Sequence, residues 1–301
     1  MIHLLSFADK RMSRSLDRLA RQAEQMRFFD QLHMFDEEDL SCDFRSLYKE
    51  KLVSGSRGYG YWAWKPQVIS QVLDRIGDND LLLYLDAGCH LNKLGLDRLK
   101  RYFYILDSSP QGILAFQSKP PTSDLSPLVY DGRKLFDQWN YEWIKGDLFD
   151  HFGVRYDSLY THARVIGAGI ILLKNCKSAK AIISEWLSVV HHDFSLLDDT
   201  PSKSPNLKGF QEHRHDQAIF SLLCLKHNVP TLSSYEYWYP KSSSSYRLSP
   251  DWFALRDFPI HARRDKDFGM LYSITSFLLR LPKRLLSLPR RIVFLIRSKG
   301  L

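Results

Sequence analysis

Five consecutive apolar residues, Leu81–Leu85, are followed directly by an acid, Asp86, and then by the small residues Ala87 and Gly88. An uncharged run of this length is typical of a strand that is covered on both faces, as in parallel sheets. A carboxylate is costly inside such a strand, so we expect Asp86 at its end. The stretch therefore predicts an α/β fold with an acid at the edge of the sheet.

Strand and helix patterns alternate along the rest of the chain. Strand patterns occupy residues 2–7, 27–35, 112–117 and 167–175, and helical patterns occupy residues 13–26, 65–76, 133–144, 147–154, 179–190 and 215–228. This alternation predicts a mostly parallel central sheet with helices on both faces. In such sheets, ligands bind outside the carboxyl ends of the strands, which is where Asp86 is expected.

The positive charge of the chain is concentrated at its C-terminal end. Residues 269–301 hold seven basic residues and no acid, so they carry seven of the eight excess positive charges. Aliphatic residues alternate with the cations, and the uncharged runs are too short for a membrane-spanning helix. We expect a folded domain over residues 1–268 and an amphipathic basic helical tail over 269–301 that lies on an anionic membrane surface. The alternative is a helix docked on its own domain or on a partner; the alternation of cations with aliphatic residues disfavours nucleic-acid binding.

The cysteines and the N-terminal residues indicate the compartment. The four cysteines show no C-x-x-C pair, which favours free thiols over a zinc site or a disulfide scaffold. The first residues do not resemble a signal peptide. We therefore expect a cytoplasmic protein, peripheral on the inner face of the cell membrane.

Two further stretches carry residue types that suit a ligand site. Gly167 and Gly169 lie at the mouth of a predicted strand, where a missing side chain lets a substrate approach, or where it marks a bulge or tight packing. Asp216 and Gln217 open a predicted helix; Asp216 either faces the site or only favours the helix N-terminus. Asp86 itself suits a divalent cation that bridges to phosphates, or else caps a turn.

Two more stretches carry cations and aromatic rings. His261 is followed by Arg263 and Arg264, which suits a bound diphosphate. The stretch YGYWAWKP, residues 59–66, places four aromatic residues ahead of Lys65. Aromatic faces suit a sugar ring or a base, and Lys65 suits a phosphate, although the rings could equally form a packing corner.

In this order, LLLYLDAGC, GAGIILLKN, HRHDQAIFSLL and PIHARRD resemble the core motifs of bacterial GT-A-fold glycosyltransferases of polysaccharide and lipopolysaccharide assembly, such as those of O-antigen or capsule. The likeness extends over residues 1–268 and includes the family-8-like retaining enzymes. It implies a GT-A-like fold and a transferase that uses a nucleotide sugar.

The resemblance also implies a manganese or magnesium ion held against the donor diphosphate by an acidic D-x-D motif. Asp86 matches the first acid, but Gly88 stands at the position of the second. A late histidine, His261, would complete the metal site, with His90 a less favoured helper. The alternative is a donor site without metal, in which Lys65, Arg263 and Arg264 supply the charge.

The resemblance assigns the remaining contacts as well. Asp216 or Gln217 would lie beside the anomeric carbon in a retaining reaction, whereas an inverting enzyme would need a base such as Glu212 or Asp147. Contacts with the nucleotide and with the acceptor are implied for a further set of residues: Phe7 and Asp9 for the nucleotide, and Trp143, Lys145, Gly167 and Gly169 for the acceptor.

The sequence thus predicts a galactosyl- or glucosyltransferase that moves a hexose from a UDP-sugar to a lipid-linked saccharide. Two other hypotheses remain open. The first is a catalytically inactive sugar-binding scaffold of the same fold, which Gly88 would favour. The second is a basic RNA-binding protein, which would lose its affinity for RNA without residues 269–301.

Overall fold

The computed structural model describes residues 1–121, 137–241 and 249–265. Its strands are β1 (Ile2–Phe7), β2 (Gln31–Phe35), β3 (Leu81–Leu85), β4 (His90–Leu91), β5 (Ile113–Gln117), β6 (Ile166–Lys174), β7 (Thr231–Ser233) and β8 (Ile260–His261). Six of them form one sheet in the order β2-β1-β3-β6-β5-β7, and β4 pairs with β8.

The large sheet is mostly parallel, as predicted. β1 is parallel to β2 and β3, and β5 is parallel to β7, whereas β6 is antiparallel to both of its neighbours, β3 and β5. The reversed direction of β6 was not predicted, because its apolar pattern is the same in either direction. The sheet brings the end of β3 beside the beginning of β6, where Asp86 N–H donates to Gly169 O at 2.9 Å.

The helices are α1 (Ser13–Met26), α2 (Cys42–Leu47), α3 (Gly58–Tyr61), α4 (Trp64–Leu73), α5 (Leu96–Asp107), α6 (Asn140–Trp143), α7 (Gly146–His151), α8 (Ser158–Thr161), α9 (Lys177–His192) and α10 (His215–Lys226). The predicted helix over 133–144 is reduced, within the described residues, to the single turn α6. The helix α5 was not predicted.

Both faces of the sheet are buried, which explains the uncharged run in β3. Leu82 and Tyr84 pack on the face covered by α4, α9 and α10, and Leu83 and Leu85 pack on the face covered by α1 and α5. Alternate residues of one strand therefore enter two different apolar layers. Burying one large apolar side chain stabilises the fold by about 1.5–3 kcal/mol.

Residues 1–265 form one compact unit. The predicted tail, 269–301, lies outside the described residues, and its helical character and membrane contact stay predictions. Among the described helices, none has the length and apolar composition that crossing a membrane requires.

Candidate active site

A buried lysine joins two carboxylates at the edge of the sheet. Lys65, in the first turn of α4, donates from Nζ to Asp216 Oδ2 at 2.6 Å and to the carbonyl oxygen of Ala168 at 3.0 Å, and it lies 3.2 Å from Asp86 Oδ1. Its side chain is only 2% exposed. The ammonium group of Lys65 thus has two hydrogen-bond acceptors and one further ion-pair partner, all of them protein oxygens.

The two carboxylates differ in their access to solvent. The side chain of Asp86 is 39% exposed, whereas that of Asp216 is 8% exposed. The hydroxyl of Tyr84, in β3, donates to Asp86 Oδ1 at 2.7 Å and fixes that side chain from below. A ligand therefore meets Asp86, while Asp216 and Lys65 form the charged layer beneath it.

The buried position of these groups shifts their proton affinities. Burial would lower the pKa of Lys65, but the carboxylates of Asp216 and Asp86 outweigh it and raise that pKa above its usual value. Burial raises the pKa of Asp216 to about 6, against the opposing effect of Lys65. Lys65 is thus a permanent ammonium, and Asp216 is the group that can change its charge near neutral pH.

Two glycines of β6 make room for their neighbours. A Cβ at position 169 would lie 2.7 Å from Asp86 Oδ2, and a Cβ at position 167 would lie 2.9 Å from the hydroxyl oxygen of Tyr237. Packing thus accounts for both glycines, the alternative that the sequence left open. The missing side chain at 169 is what allows the Asp86 carboxylate to lie against β6.

The residues expected to hold a divalent cation do not form a set of cation ligands. Asp86 already lies against an ammonium group. Gly88 provides no carboxylate, and a Cβ there would lie 3.2 Å from Cα of Arg264, so the backbone of Arg264 crowds the position of the second acid. His261 is buried and donates from Nε2 to Leu255 O at 2.8 Å. Within residues 1–121, 137–241 and 249–265, no three histidine, cysteine or acidic side chains lie together as a metal site requires.

The two expected arginine ligands of the donor lie in different surroundings. The guanidinium of Arg263 stacks on Trp252 at 5.2 Å from the ring centroid. Arg264 has a φ of 55° and its backbone contacts Gly88, two residues after Asp86. Of the two, Arg264 is therefore the one that the fold brings to the carboxylate site.

The aromatic stretch before Lys65 forms a left-handed turn. Every residue from Gly58 to Trp62 has a positive φ, between 49° and 84°. Tyr61 N–H bonds to Arg57 O at 2.7 Å, and Trp62 N–H bonds to Gly58 O at 3.1 Å. Such a conformation costs roughly 1–2 kcal/mol for each residue other than glycine.

Packing holds the left-handed turn in place. The rings of Tyr61 and Trp62 lie 5.2 and 5.6 Å from the ring of His215, and Trp64 Nε1 donates to Gly58 O at 2.9 Å. The turn ends where α4 begins, and Lys65 N–H bonds to Trp62 O. Its rings are partly exposed beside the residue that precedes Asp216.

The two expected nucleotide contacts are placed differently. Phe7 is buried and stacks on Trp64 at 4.1 Å, so its ring is not open to a base. Asp9 pairs with Arg11 at 3.0 Å and lines a cavity of about 440 Å³ at the carboxyl ends of β1 and β2. Asp9 therefore remains a candidate contact, and Phe7 has a packing role.

An expected acceptor residue, Lys145, and a candidate base, Asp147, both hold a loop. Lys145 is buried and donates from Nζ to the carbonyl oxygens of Ser195, Asp198 and Thr200. Asp147 accepts from the backbone N–H groups of 203 and 204 at 2.8 and 2.7 Å. Neither is free to contact a saccharide in this arrangement.

Trp143 and Glu212 both contact Arg214, which lies two residues before Asp216. The guanidinium of Arg214 lies 4.2 Å from the ring centroid of Trp143, and Arg214 Nε lies 3.2 Å from Glu212 Oε1. Glu212 is partly exposed, so it is the better placed of the two candidate bases. Gln217 is also partly exposed, at the start of α10.

The two histidines of the HRHDQ stretch hold the same loop as Lys145. His213 Nε2 donates to Leu196 O at 2.9 Å, and its Nδ1 accepts from Lys145 N–H at 3.4 Å, so both contacts require the neutral ring. Burial accordingly lowers the pKa of His213 well below 6.5. His215 Nδ1 donates to Leu197 O at 2.8 Å.

Tyr84, Ala168 and Arg214 are parts of the site that the sequence did not reveal. Tyr84 carried a usable signal, because side chains two apart in a strand point to the same side, which is how Tyr84 reaches Asp86. Ala168 contributes a carbonyl group, which has no sequence signature. Arg214 lies among other charged residues, where its contact with Trp143 could not be foreseen.

The fold and the site together define a mixed α/β protein with an acid–lysine–acid cluster at the carboxyl edge of a mostly parallel sheet. No protein-family model and no curated protein matches the chain. The chain is similar, at low identity, to several solved structures, and the described likenesses concern the fold.

One is a glycosyltransferase involved in glycosylation of the major capsid of PBCV-1, with 13% identity, a TM-score of 0.44, and 89% of this chain and 99% of that chain covered. Another is mouse xyloside xylosyltransferase 1 in its apo form, with 11% identity, a TM-score of 0.42, and coverage of 79% and 87%. A third is the galactosyltransferase LgtC in complex with donor and acceptor sugar analogs, with 14% identity, a TM-score of 0.42, and coverage of 97% and 98%.

Proposed function

We propose that this protein is a glycosyltransferase that moves a hexose, galactose or glucose, from a UDP-sugar to a lipid-linked saccharide. The observation that carries the proposal is the Asp86–Lys65–Asp216 cluster. It presents one half-exposed carboxylate at the edge of the sheet where ligands of open α/β folds bind. The order of the sequence motifs that resemble GT-A glycosyltransferases supports the same function.

The proposed reaction breaks the bond between the anomeric carbon and the diphosphate oxygen, and the bonding electrons leave with the diphosphate. A hydroxyl oxygen of the acceptor then forms the new bond on the same face, and its proton passes to the departing phosphate. The transition state resembles an oxocarbenium ion. The Asp86 carboxylate stabilises the positive charge at the sugar, with the Gln217 side chain beside it, and Lys65 with Asp216 holds Asp86 in place.

We place this reaction at the inner face of the cell membrane, in the assembly of a cell-surface polysaccharide such as lipopolysaccharide or O-antigen. The support is the sequence of residues 269–301, in which cations alternate with aliphatic residues. Such a tail would bring the enzyme to a lipid-anchored acceptor.

The test is release of nucleotide from a panel of UDP-sugars by the purified full chain, with and without an oligosaccharide acceptor. Asp86→Asn should reduce turnover by about 100-fold or more, since it removes the charge that faces the sugar. Asp97→Asn is the matched control, because Asp97 is an exposed acid whose ion-pair partner among the described residues is an exposed lysine. Binding of a UDP-sugar without release or transfer would instead favour the inactive scaffold.

A further inference from the structure

The segment after β8 is fixed against the carboxylate site by contacts on both sides of Arg264. Ala262 N–H donates to Tyr237 O at 3.1 Å, and Asp265 Oδ2 lies 2.9 Å from His90 Nε2. Between them, the backbone of Arg264 lies against Gly88. Arg264 is therefore held beside the Asp86 loop by the fold.

The side chain of Arg264 carries a positive charge at the protein surface. Among the described residues, Arg264 forms no ion pair, and its side chain is exposed. The charge of Arg264 also acts on two buried neighbours of the site. Burial raises the pKa of Cys89 and the pKa of Tyr237, and the positive charge of Arg264 lowers both. Within the described part of the chain, Arg264 thus presents a guanidinium without an acidic partner next to the residues that follow β3.

A second arginine precedes the buried carboxylate of the cluster. Arg214 lies two residues before Asp216 and stacks on Trp143. Burial lowers the pKa of Arg214, and the charges of Arg264 and Arg57 lower it further, while Glu212 opposes them. Arg214 Nε also lies 3.2 Å from Glu212 Oε1, which offsets part of its charge, and an anion that binds beside both arginines would offset the charge that remains.

We propose that the guanidinium groups of Arg264 and Arg214 bind the diphosphate of the nucleotide-sugar donor, and that this binding needs no divalent cation. The proposal rests on the proposed function and names its donor subsite. It follows from Gly88 standing at the position of the second metal-binding acid, with the backbone of Arg264 packed against it. Lys65 does not serve the diphosphate, because its side chain is only 2% exposed and its ammonium group already contacts three protein oxygens.

Arginine suits this role for a chemical reason. Its planar guanidinium offers paired N–H donors to two phosphate oxygens, and it stays charged at any physiological pH. Two such groups match the two negative charges of a diphosphate diester. They would also stabilise the charge that grows on the diphosphate as it departs.

The experiment measures binding of UDP, inorganic pyrophosphate and uridine to the full chain in metal-stripped buffer, and again with Mn²⁺ or Mg²⁺. UDP and pyrophosphate should bind without metal. Arg264→Ala and Arg214→Ala should each weaken binding of both by about 10-fold or more, and should leave uridine binding unchanged. Arg256→Ala is the matched control, because it removes an exposed arginine from the same segment, one that stacks on Phe253 and lies 3.4 Å from Asp257.

A strict requirement for Mn²⁺ or Mg²⁺ would overturn the inference, as would equal UDP affinity in Arg264→Ala and Arg256→Ala. Arg264→Gln, with its melting temperature recorded, separates lost binding from lost folding. If transfer occurs only with metal, the proposed function stands and this inference fails. If UDP binds without metal through Arg264 and no sugar is ever released, the diphosphate site stands and the transferase function fails.

Discussion

The ammonium nitrogen of Lys65 lies 2.6 Å from the carboxylate of Asp216, and both side chains are almost entirely buried. Lys65 lies in the first turn of α4, directly after the aromatic turn, and Asp216 lies in the first turn of α10. The ion pair thus joins two segments that are distant in sequence beneath the exposed carboxylate of Asp86.

Removing Lys65 should destabilise the fold strongly, because it leaves two carboxylates close together with one of them buried. We expect Lys65→Met to lower the free energy of unfolding by about 3–5 kcal/mol, measured by denaturant titration. The double variant Lys65→Met/Asp216→Leu should recover part of this loss. Lys100→Met, which removes an exposed partner of Asp97, should cost at most about 1 kcal/mol. Similar losses in the two single variants would contradict the prediction.

Adding a methyl group beside Asp86 should impair the reaction more than the fold. In Gly169→Ala, the new Cβ would lie 2.7 Å from Asp86 Oδ2, so the carboxylate must move out of its position. We expect turnover to fall by about 10-fold or more, since a displacement near 1 Å in a site is costly. Steady-state kinetics with the best donor measures the effect, and thermal unfolding monitors the fold. Unchanged turnover would show that the position of Asp86 does not matter.

Activity should fall in mild acid because of Asp216. Burial raises the pKa of Asp216 to about 6, so below that pH the carboxylate is protonated and no longer balances Lys65. We expect kcat to decrease as the pH falls through about 6, and this acidic limb to disappear in Asp216→Asn. A kcat profile of the wild-type enzyme that is flat from about pH 5 to 8 would rule out a role for the ionised form.

Stability should also fall in acid, because His213 must be neutral in the fold. Burial lowers its folded pKa well below the unfolded value of 6.5, so the unfolded chain binds more protons in acid. The stabilisation is complete above 6.5 and is lost as the pH falls below it. Between about pH 7.5 and 5.5, this one histidine should account for about 1 kcal/mol. Chemical denaturation of the wild type and His213→Gln at both pH values measures the difference; equal losses would contradict the prediction.

Strong local patterns predicted much of the sheet and the helices that cover it. The uncharged run Leu81–Leu85 placed Asp86 correctly at a strand end, and helices α1, α9 and α10 lie where their apolar spacing indicated. The direction of β6 could not be predicted, since a buried strand has the same composition whether it runs parallel or antiparallel to its neighbours.

The roles of single side chains were harder to predict, because burial and partner choice depend on distant residues. Lys65 was expected at a phosphate, yet it lies inside the protein, where two acids from other segments surround it. Lys145 was expected at the acceptor, yet it binds three carbonyl groups of one loop. A glycine at position 88 does not by itself predict that the backbone of Arg264 packs against it.

The left-handed turn from Gly58 to Trp62 requires a residue without a side chain at position 58. The Cβ atom of any L-residue at position 58 would overlap the indole ring of Trp62, so the turn could not keep its present conformation. Trp64 would lose its bond to Gly58 O, and Lys65 would enter its helix from a different direction. Gly58→Ala adds only an uncharged methyl group, seven residues before Lys65. It would nevertheless disturb the buried ion pairs that Lys65 forms with Asp86 and Asp216.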